Sequence, residues 1–135
     1  MGRAALPLVN ALGVGIDLVD VARVERLLTR NGDRALARLL TDGERAYCMT
    51  RAFPARHVAA RVAAKEAAYK ALFQQSDGLV IGWRDFEVER DDGGQPSMEL
   101  RGRAQQVAKR MNVARTLLSL SHSSTHAVAI VILVG

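Results

Sequence analysis

Cysteine is nearly missing from this chain: Cys48 is the sole thiol in 135 residues. One thiol cannot build an internal disulfide framework, and such scarcity suits a reducing cytosol. Aromatic residues make up only 4% of the sequence, too few for a platform on which single-stranded bases stack. No apolar run reaches the roughly 18 residues of a membrane span. The opening stretch from Met1 is apolar but runs into Asp17 without a small-residue cleavage site, so it does not read as a secretory leader. Met1-Gly2 is not followed by the Ser or Thr at the sixth position that N-myristoylation uses. Zinc-finger spacing, a P-loop, a dinucleotide fingerprint, internal repeats and low-complexity tracts are absent as well.

What is present is a globular composition, 49% apolar, in a length suited to one domain. Such a chain buries roughly two thirds of its unfolded surface and needs no staples. Acidic residues are outnumbered 14 to 19 by Lys and Arg, leaving a net charge of +5. That excess calls for an anionic partner: a phosphorylated metabolite, an acidic protein surface or nucleic acid.

Taken in order, residues 1–10 read as a loose extension. Leu12 to Val19 alternates like a strand, with Leu12, Val14, Ile16 and Leu18 on one face, expected to be core. Gly13, Gly15 and Asp17 share the other face. Glycine inside a strand marks close approach of another group, which makes Asp17 a candidate ligand. Asp20 is an N-cap for a helix that ends at Asn31-Gly32, and Asp33 opens a second helical turn through Ala35, Leu36, Leu39 and Leu40. Arg23, Arg26, Arg30, Arg34 and Arg38 give this region an arginine surface with little opposing charge, suited to an acidic partner. Thr41-Asp-Gly-Glu44 is a capping box for a short helix. Pro54 opens a long helix to about Phe73, with Val58, Val62 and Leu72 inward. Ser76-Asp77-Gly78 breaks it. A hairpin follows, Phe86–Glu89 and Ser97–Arg101, turning at Asp91–Pro96. After it come a helix from Gly102 to Asn112, a strand Thr116–His122 and a last apolar strand Ala127–Leu133. The expected class is α+β, an antiparallel sheet against a long helix.

Within that helix lies Arg61-Val-Ala-Ala-Lys65-Glu66-Ala-Ala-Tyr69-Lys70. Glu66 and Lys70 share one face, while Arg61, Lys65 and Tyr69 share another. By helix grammar alone this is an alanine helix with an ordinary Glu–Lys pair. His122, where a strand meets a turn, is by itself an ordinary structural histidine.

Three blocks in order alter that reading: Gly13-Val-Gly15-Ile-Asp17-Leu-Val with Arg23 after it, Arg61 to Leu72, and Ser119-Leu-Ser121-His122 followed by Ala127-Val-Ala129-Ile-Val-Ile. Together they closely resemble the holo-[acyl-carrier-protein] synthases, small bacterial 4′-phosphopantetheinyl transferases, over about residues 11–134. The resemblance implies one transferase domain from 11 to 135 and transfer of phosphopantetheine from coenzyme A to a serine of apo acyl carrier protein. It further implies release of adenosine 3′,5′-bisphosphate, a need for Mg²⁺, a cytoplasmic setting and service to fatty acid biosynthesis. A homotrimer with active sites at subunit interfaces comes with it.

Residue by residue, the resemblance implies Asp17 and Glu66 as magnesium ligands. Lys70 is implied to pair with the phosphates, and these three form the catalytic group. Arg61, Lys65, Lys70, Gly94, Pro96 and His122 are implied coenzyme A contacts, with Arg61 and Lys65 serving the phosphates or the structure of the site. Arg23, Arg30 and Arg34 are implied to dock the acidic carrier. Glu66 and a metal-bound water are both candidates to take the serine proton. The chain departs from the family pattern at Phe73, where glycine is usual, and at Val62, where an aromatic is common. Two other readings compete: a silent homologue that binds without transfer, and a small basic nucleic-acid-binding module. Retention of Asp17, Glu66, Lys70 and His122 speaks against the first, and the scarcity of aromatics against the second.

Overall fold

A computed structural model of the chain describes residues 10–73, 76 and 78–135. The extension expected at residues 1–10 therefore lies outside the described residues except for Asn10, as do Gln74, Gln75 and Asp77 in the stretch expected to end the long helix.

The first described element is strand β1 (Ala11–Asp20). Asp20 then caps helix α1 (Val21–Leu39), its side chain accepting from Ala22 N–H at 2.9 Å. The expected helix end at Asn31-Gly32 is a kink within α1: Asn31 leaves helical geometry at φ −140°, ψ 40°, and the helix resumes to Leu39. Thr41 and Glu44 form the expected capping box of α2 (Asp42–Met49). Helix α3 (Pro54–Leu72) starts on its proline, whose missing N–H costs nothing in a first turn. A short 3-10 turn, Trp83–Asp85, leads into the hairpin β2 (Phe86–Arg90) and β3 (Pro96–Leu100). Helix α4 (Gly102–Arg110) stops at Asn112, which sits at φ 61°. Strands β4 (Arg115–His122) and β5 (His126–Val134) complete the chain.

The sheet is antiparallel, in the order β1-β5-β4, with β2-β3 as a separate ladder. Thr116 ties the two together by donating to Met98 C=O at 2.8 Å. Helix α3 lies across the larger sheet. Its buried residues are mostly alanines, from Ala59 to Ala71, and small side chains let the strands come close.

The facing of β1 is the reverse of expectation. Val14, Ile16 and Leu18 are 62%, 59% and 63% exposed, and Leu12 is exposed too. Gly13 and Gly15 face the helix instead. A Cβ on Gly15 would overlap Ala67 C=O, and one on Gly13 would overlap Ala71 C=O. The group whose close approach these glycines permit is thus the backbone of α3, not a ligand. Alternation distinguishes two faces but does not say which one is inward. Here the side lacking side chains is the one that admits a helix. Val14, Ile16 and Leu18 pair across strands with Ile132, Ile130 and Val128, so one apolar face of this sheet lies open on the single chain.

Candidate active site

The contact between β1 and α3 decides where the first group of functional side chains lies. With Gly15 seated on Ala67, Asp17 comes beside the helix turn that carries Glu66 and Lys70. Lys70 Nζ donates to Asp17 Oδ1 at 2.9 Å and to Ile16 C=O at 3.0 Å. Asp17 and Glu66 line one cavity of about 660 Å³, together with Arg23, Arg26 and Arg30 of α1. Arg34 lines the adjoining groove with Arg38 and Trp83. Glu66 is half-buried. Burial, and then the charge of Asp17, push its carboxyl above the usual range, while Lys70 and Arg23 pull the other way. Two carboxylates that repel each other in one cavity are suited to a hard cation. Asp17 and Glu66 are residues that could hold one.

The second group lies around Tyr47. The guanidiniums of Arg51, Arg61 and Arg90 stand 4.0, 4.4 and 5.5 Å from its ring centre. His57 meets Tyr47 edge-on at 5.9 Å and His122 at 5.0 Å. Arg90 Nη1 donates to Gly94 C=O at 2.7 Å, anchoring the hairpin turn that Pro96 closes. Arg61 Nη1 reaches His57 C=O at 3.3 Å, but Arg61 Nε, Arg90 Nε and His57 Nδ1 are buried with no hydrogen-bond partner among the described residues. Burial lowers both imidazoles. His122 acts next on His57, ahead of Arg61, Arg51 and Arg90, and Arg56, Arg61 and Arg90 act on His122. Concentrated positive charge with unspent donors is the chemistry of a phosphate site.

Lys65 belongs to neither group. Its ammonium is fully buried and donates to Glu44 Oε1 at 2.6 Å, Leu39 C=O at 2.8 Å and Trp83 C=O at 3.0 Å. All three protons are spent, so of the two roles open to Lys65 the geometry favours site structure over a coenzyme A contact. Burial outweighs the attraction of Glu44 and lowers its pKa. Glu44 in turn accepts from Thr41 N–H at 2.9 Å and Val88 N–H at 2.8 Å. The junction joins the ends of α1 and α2, strand β2 and the Trp83 turn to α3.

Sequence reasoning grouped Asp17, Glu66 and Lys70 as the catalytic set, Arg61, Lys65, Lys70, Gly94, Pro96 and His122 as coenzyme A contacts, and Arg23, Arg30 and Arg34 as a docking surface; the structure brings Arg23 and Arg30 to the cavity of Asp17 and Glu66, and Arg61 and His122 to the cluster around Tyr47 and His57. Sequence reasoning missed Tyr47, Arg51, His57 and Arg90. Only His57 left a signal, standing one helical turn before Arg61. Among the described residues one cluster of three carboxylates exists, Glu87, Glu89 and Glu99. Arg101 already answers it, reaching Glu87 at 2.5 Å and Glu99 at 3.3 Å.

Comparison with known proteins gives these groups a setting. The family model of the 4′-phosphopantetheinyl transferase superfamily matches residues 13–131. The holo-[acyl-carrier-protein] synthase of Koribacter versatilis is 48% identical over 122 residues, covering 90% of this chain and 97% of its own. The solved holo-acyl-carrier-protein synthase of Plasmodium yoelii superposes with a TM-score of 0.80 at 27% identity, covering 95% of this chain and 98% of that one. The synthase of Helicobacter pylori, solved in complex with coenzyme A, gives 0.74 at 26% identity, covering 89% and 98%.

Proposed function

Because this chain belongs to the 4′-phosphopantetheinyl transferase superfamily, we infer that it moves 4′-phosphopantetheine from coenzyme A to a serine of apo acyl carrier protein, releasing adenosine 3′,5′-bisphosphate. The observation that carries the reading is the pairing of Asp17 and Glu66 in one cavity, with Lys70 bridged to Asp17 and arginines facing them. The serine oxygen forms a bond to the phosphorus that bears pantetheine, and the diphosphate P–O bond breaks.

Each residue has a part in that step. Asp17 and Glu66 would hold Mg²⁺, which supplies charge neutralisation on the diphosphate. Lys70, half-exposed at the cavity, offsets charge on the leaving group. Glu66, or a water it orients, accepts the serine proton, and its raised pKa favours that role. Arg61, Arg90, His57 and His122 receive the phosphates of the adenosine end, near Gly94 and Pro96. Arg23, Arg30 and Arg34 receive the acidic carrier. Incubation of apo carrier with this protein, coenzyme A and Mg²⁺, read by intact-mass spectrometry, tests the reading. A gain of one phosphopantetheine is expected, and no gain beside a working control enzyme sinks it.

We further propose that the active unit is a homotrimer. The open apolar face of β1 and β5 supports it, and so does the division of the site. Glu66 opens to the cavity lined by Arg23 and Arg30, and Arg61 to a different one lined by Tyr47 and Arg90, so a neighbouring copy completes each centre. Sedimentation equilibrium checks this, and a monomer at assay concentration contradicts it. The cytoplasm and fatty acid biosynthesis are the proposed setting. No helix of the described residues is long and apolar enough to cross a membrane.

A further inference from the structure

The carboxylates suited to a cation already carry cations of the protein's own. Lys70 Nζ donates to Asp17 Oδ1 at 2.9 Å and to Ile16 C=O at 3.0 Å. Two of its three ammonium protons are thus placed on β1. Asp17, Asp20 and Glu66 share their cavity with Arg23, Arg26 and Arg30. Three carboxylates meet three guanidiniums, and Lys70 adds one more positive charge. The local balance is therefore positive before any ligand arrives, and a divalent cation entering alone is repelled.

Asp17 is the point of conflict. Its side chain is mostly buried, so solvent and salt screen it little. A divalent cation on Asp17 and an ammonium on its Oδ1 are like charges on one carboxylate. Lys70 is the partner able to move. Its side chain is half-exposed on a flexible four-carbon stem, and an exposed ion pair is weakly held. An anion at the cavity draws the ammonium off Asp17, and the diphosphate of coenzyme A is such an anion. It also brings the local balance below zero and offers the oxygens that magnesium takes beside one or two carboxylates.

We propose that Lys70 is an internal competitor of Mg²⁺ for Asp17 and that the diphosphate of coenzyme A displaces it, so that coenzyme A and Mg²⁺ enter the site as a cooperative pair while the protein alone holds the cation weakly. The proposal rests on the transferase reading above and adds an order of assembly to it. Lys70 has two positions in this scheme, on Asp17 and on the phosphates, and stays an ammonium in both. The coupling is reciprocal: Mg²⁺ tightens coenzyme A by the factor with which coenzyme A tightens Mg²⁺.

The test is calorimetric and involves no turnover, because no carrier is added. Mg²⁺ is titrated into the full chain alone and into the full chain saturated with coenzyme A, and uptake by coenzyme A itself is subtracted. In wild type, coenzyme A should tighten Mg²⁺ about 50-fold. Lys70→Met alone should bind Mg²⁺ about fivefold more tightly than wild type, and its gain from coenzyme A should shrink to about tenfold. Lys70→Arg keeps the charge and should follow wild type within about twofold. Unchanged or weaker Mg²⁺ binding by Lys70→Met, or equal tightening in Lys70→Arg, overturns the proposal, as does a wild type that gains nothing from coenzyme A. Asp17→Ala should abolish Mg²⁺ binding in both titrations, and retained binding defeats the assignment of the metal ligands and this proposal with it. A protein that takes up no coenzyme A defeats the transferase reading, whereas coenzyme A uptake with Lys70→Met identical to wild type defeats this proposal alone.

Discussion

Lys65 and Lys70 lie little more than one turn apart on α3, and their surroundings give them opposite work. Lys65 is fully buried, with three protein acceptors for three protons. Lys70 has a side chain 51% exposed, one carboxylate partner and one carbonyl. The first arrangement is closed and holds elements together. The second leaves a donor and accessible surface at a cavity, where a phosphate can compete for the ammonium. Both lysines make ion pairs of ordinary length, so distance does not separate them. Burial and the number of fixed acceptors do.

The comparison can be broken by removing each charge in turn. The largest effect on stability is expected from Lys65→Met, which leaves Glu44 buried without its cation. Chemical denaturation should show a loss of about 3–5 kcal/mol. Glu44→Leu combined with Lys65→Met should recover part of it, since replacing both partners removes the orphaned charge. Equal stability of Lys65→Met and wild type would deny the junction its role.

Lys70→Met should do the converse. Its transfer rate falls about 100-fold, in line with losing one preorganised donor. Its stability changes by about 0–1 kcal/mol, the ordinary worth of an exposed pair. A large loss of stability with normal turnover would erase the contrast between the two lysines.

Arg23→Glu sharpens the picture on the carrier side. Reversing a charge that faces Glu66 and lines the cavity should raise KM for the carrier about tenfold at low salt. The difference should shrink as salt rises, and a salt-independent effect would argue against docking through charge.

A smaller effect concerns pH. His57 and His122 are both lowered below the ordinary histidine value of 6.5. The unfolded chain therefore binds more protons than the folded one just below that value. Their contribution to stability is present above 6.5 and is lost as pH falls through the lowered folded values. An anion held among Arg61, Arg90 and these rings favours imidazolium, so adenosine 3′,5′-bisphosphate should take up protons on binding and bind more tightly as pH falls. Calorimetry in buffers of different ionisation enthalpy measures that uptake, and zero uptake contradicts the phosphate assignment.

Much of the fold was legible because local signals were strong. The Asp20 cap, the Thr41–Glu44 box, Pro54 at the head of α3 and Asn112 at the end of α4 each have a local physical cause. The inward face of β1 was not legible, since which side of an alternating strand packs depends on its partner. An alanine helix accepts glycines where it would have rejected Val14 and Ile16. Glu44 was readable as a cap but not as the buried partner of Lys65, 21 residues away. In the site, Asp17, Glu66 and Lys70 were readable from their motifs. The basic cluster was only partly so, because Arg51, Arg61 and Arg90 come from separate segments that meet around Tyr47.

The account stands on Asp17 and Glu66 acting together at one centre. Single-turnover transfer to apo carrier, followed by intact mass for Asp17→Ala and Glu66→Ala beside wild type, tests it most directly. Each variant should lose at least about 1,000-fold in rate while keeping the wild-type melting midpoint within a few degrees. Near wild-type rates from both variants would contradict the assignment of the two carboxylates.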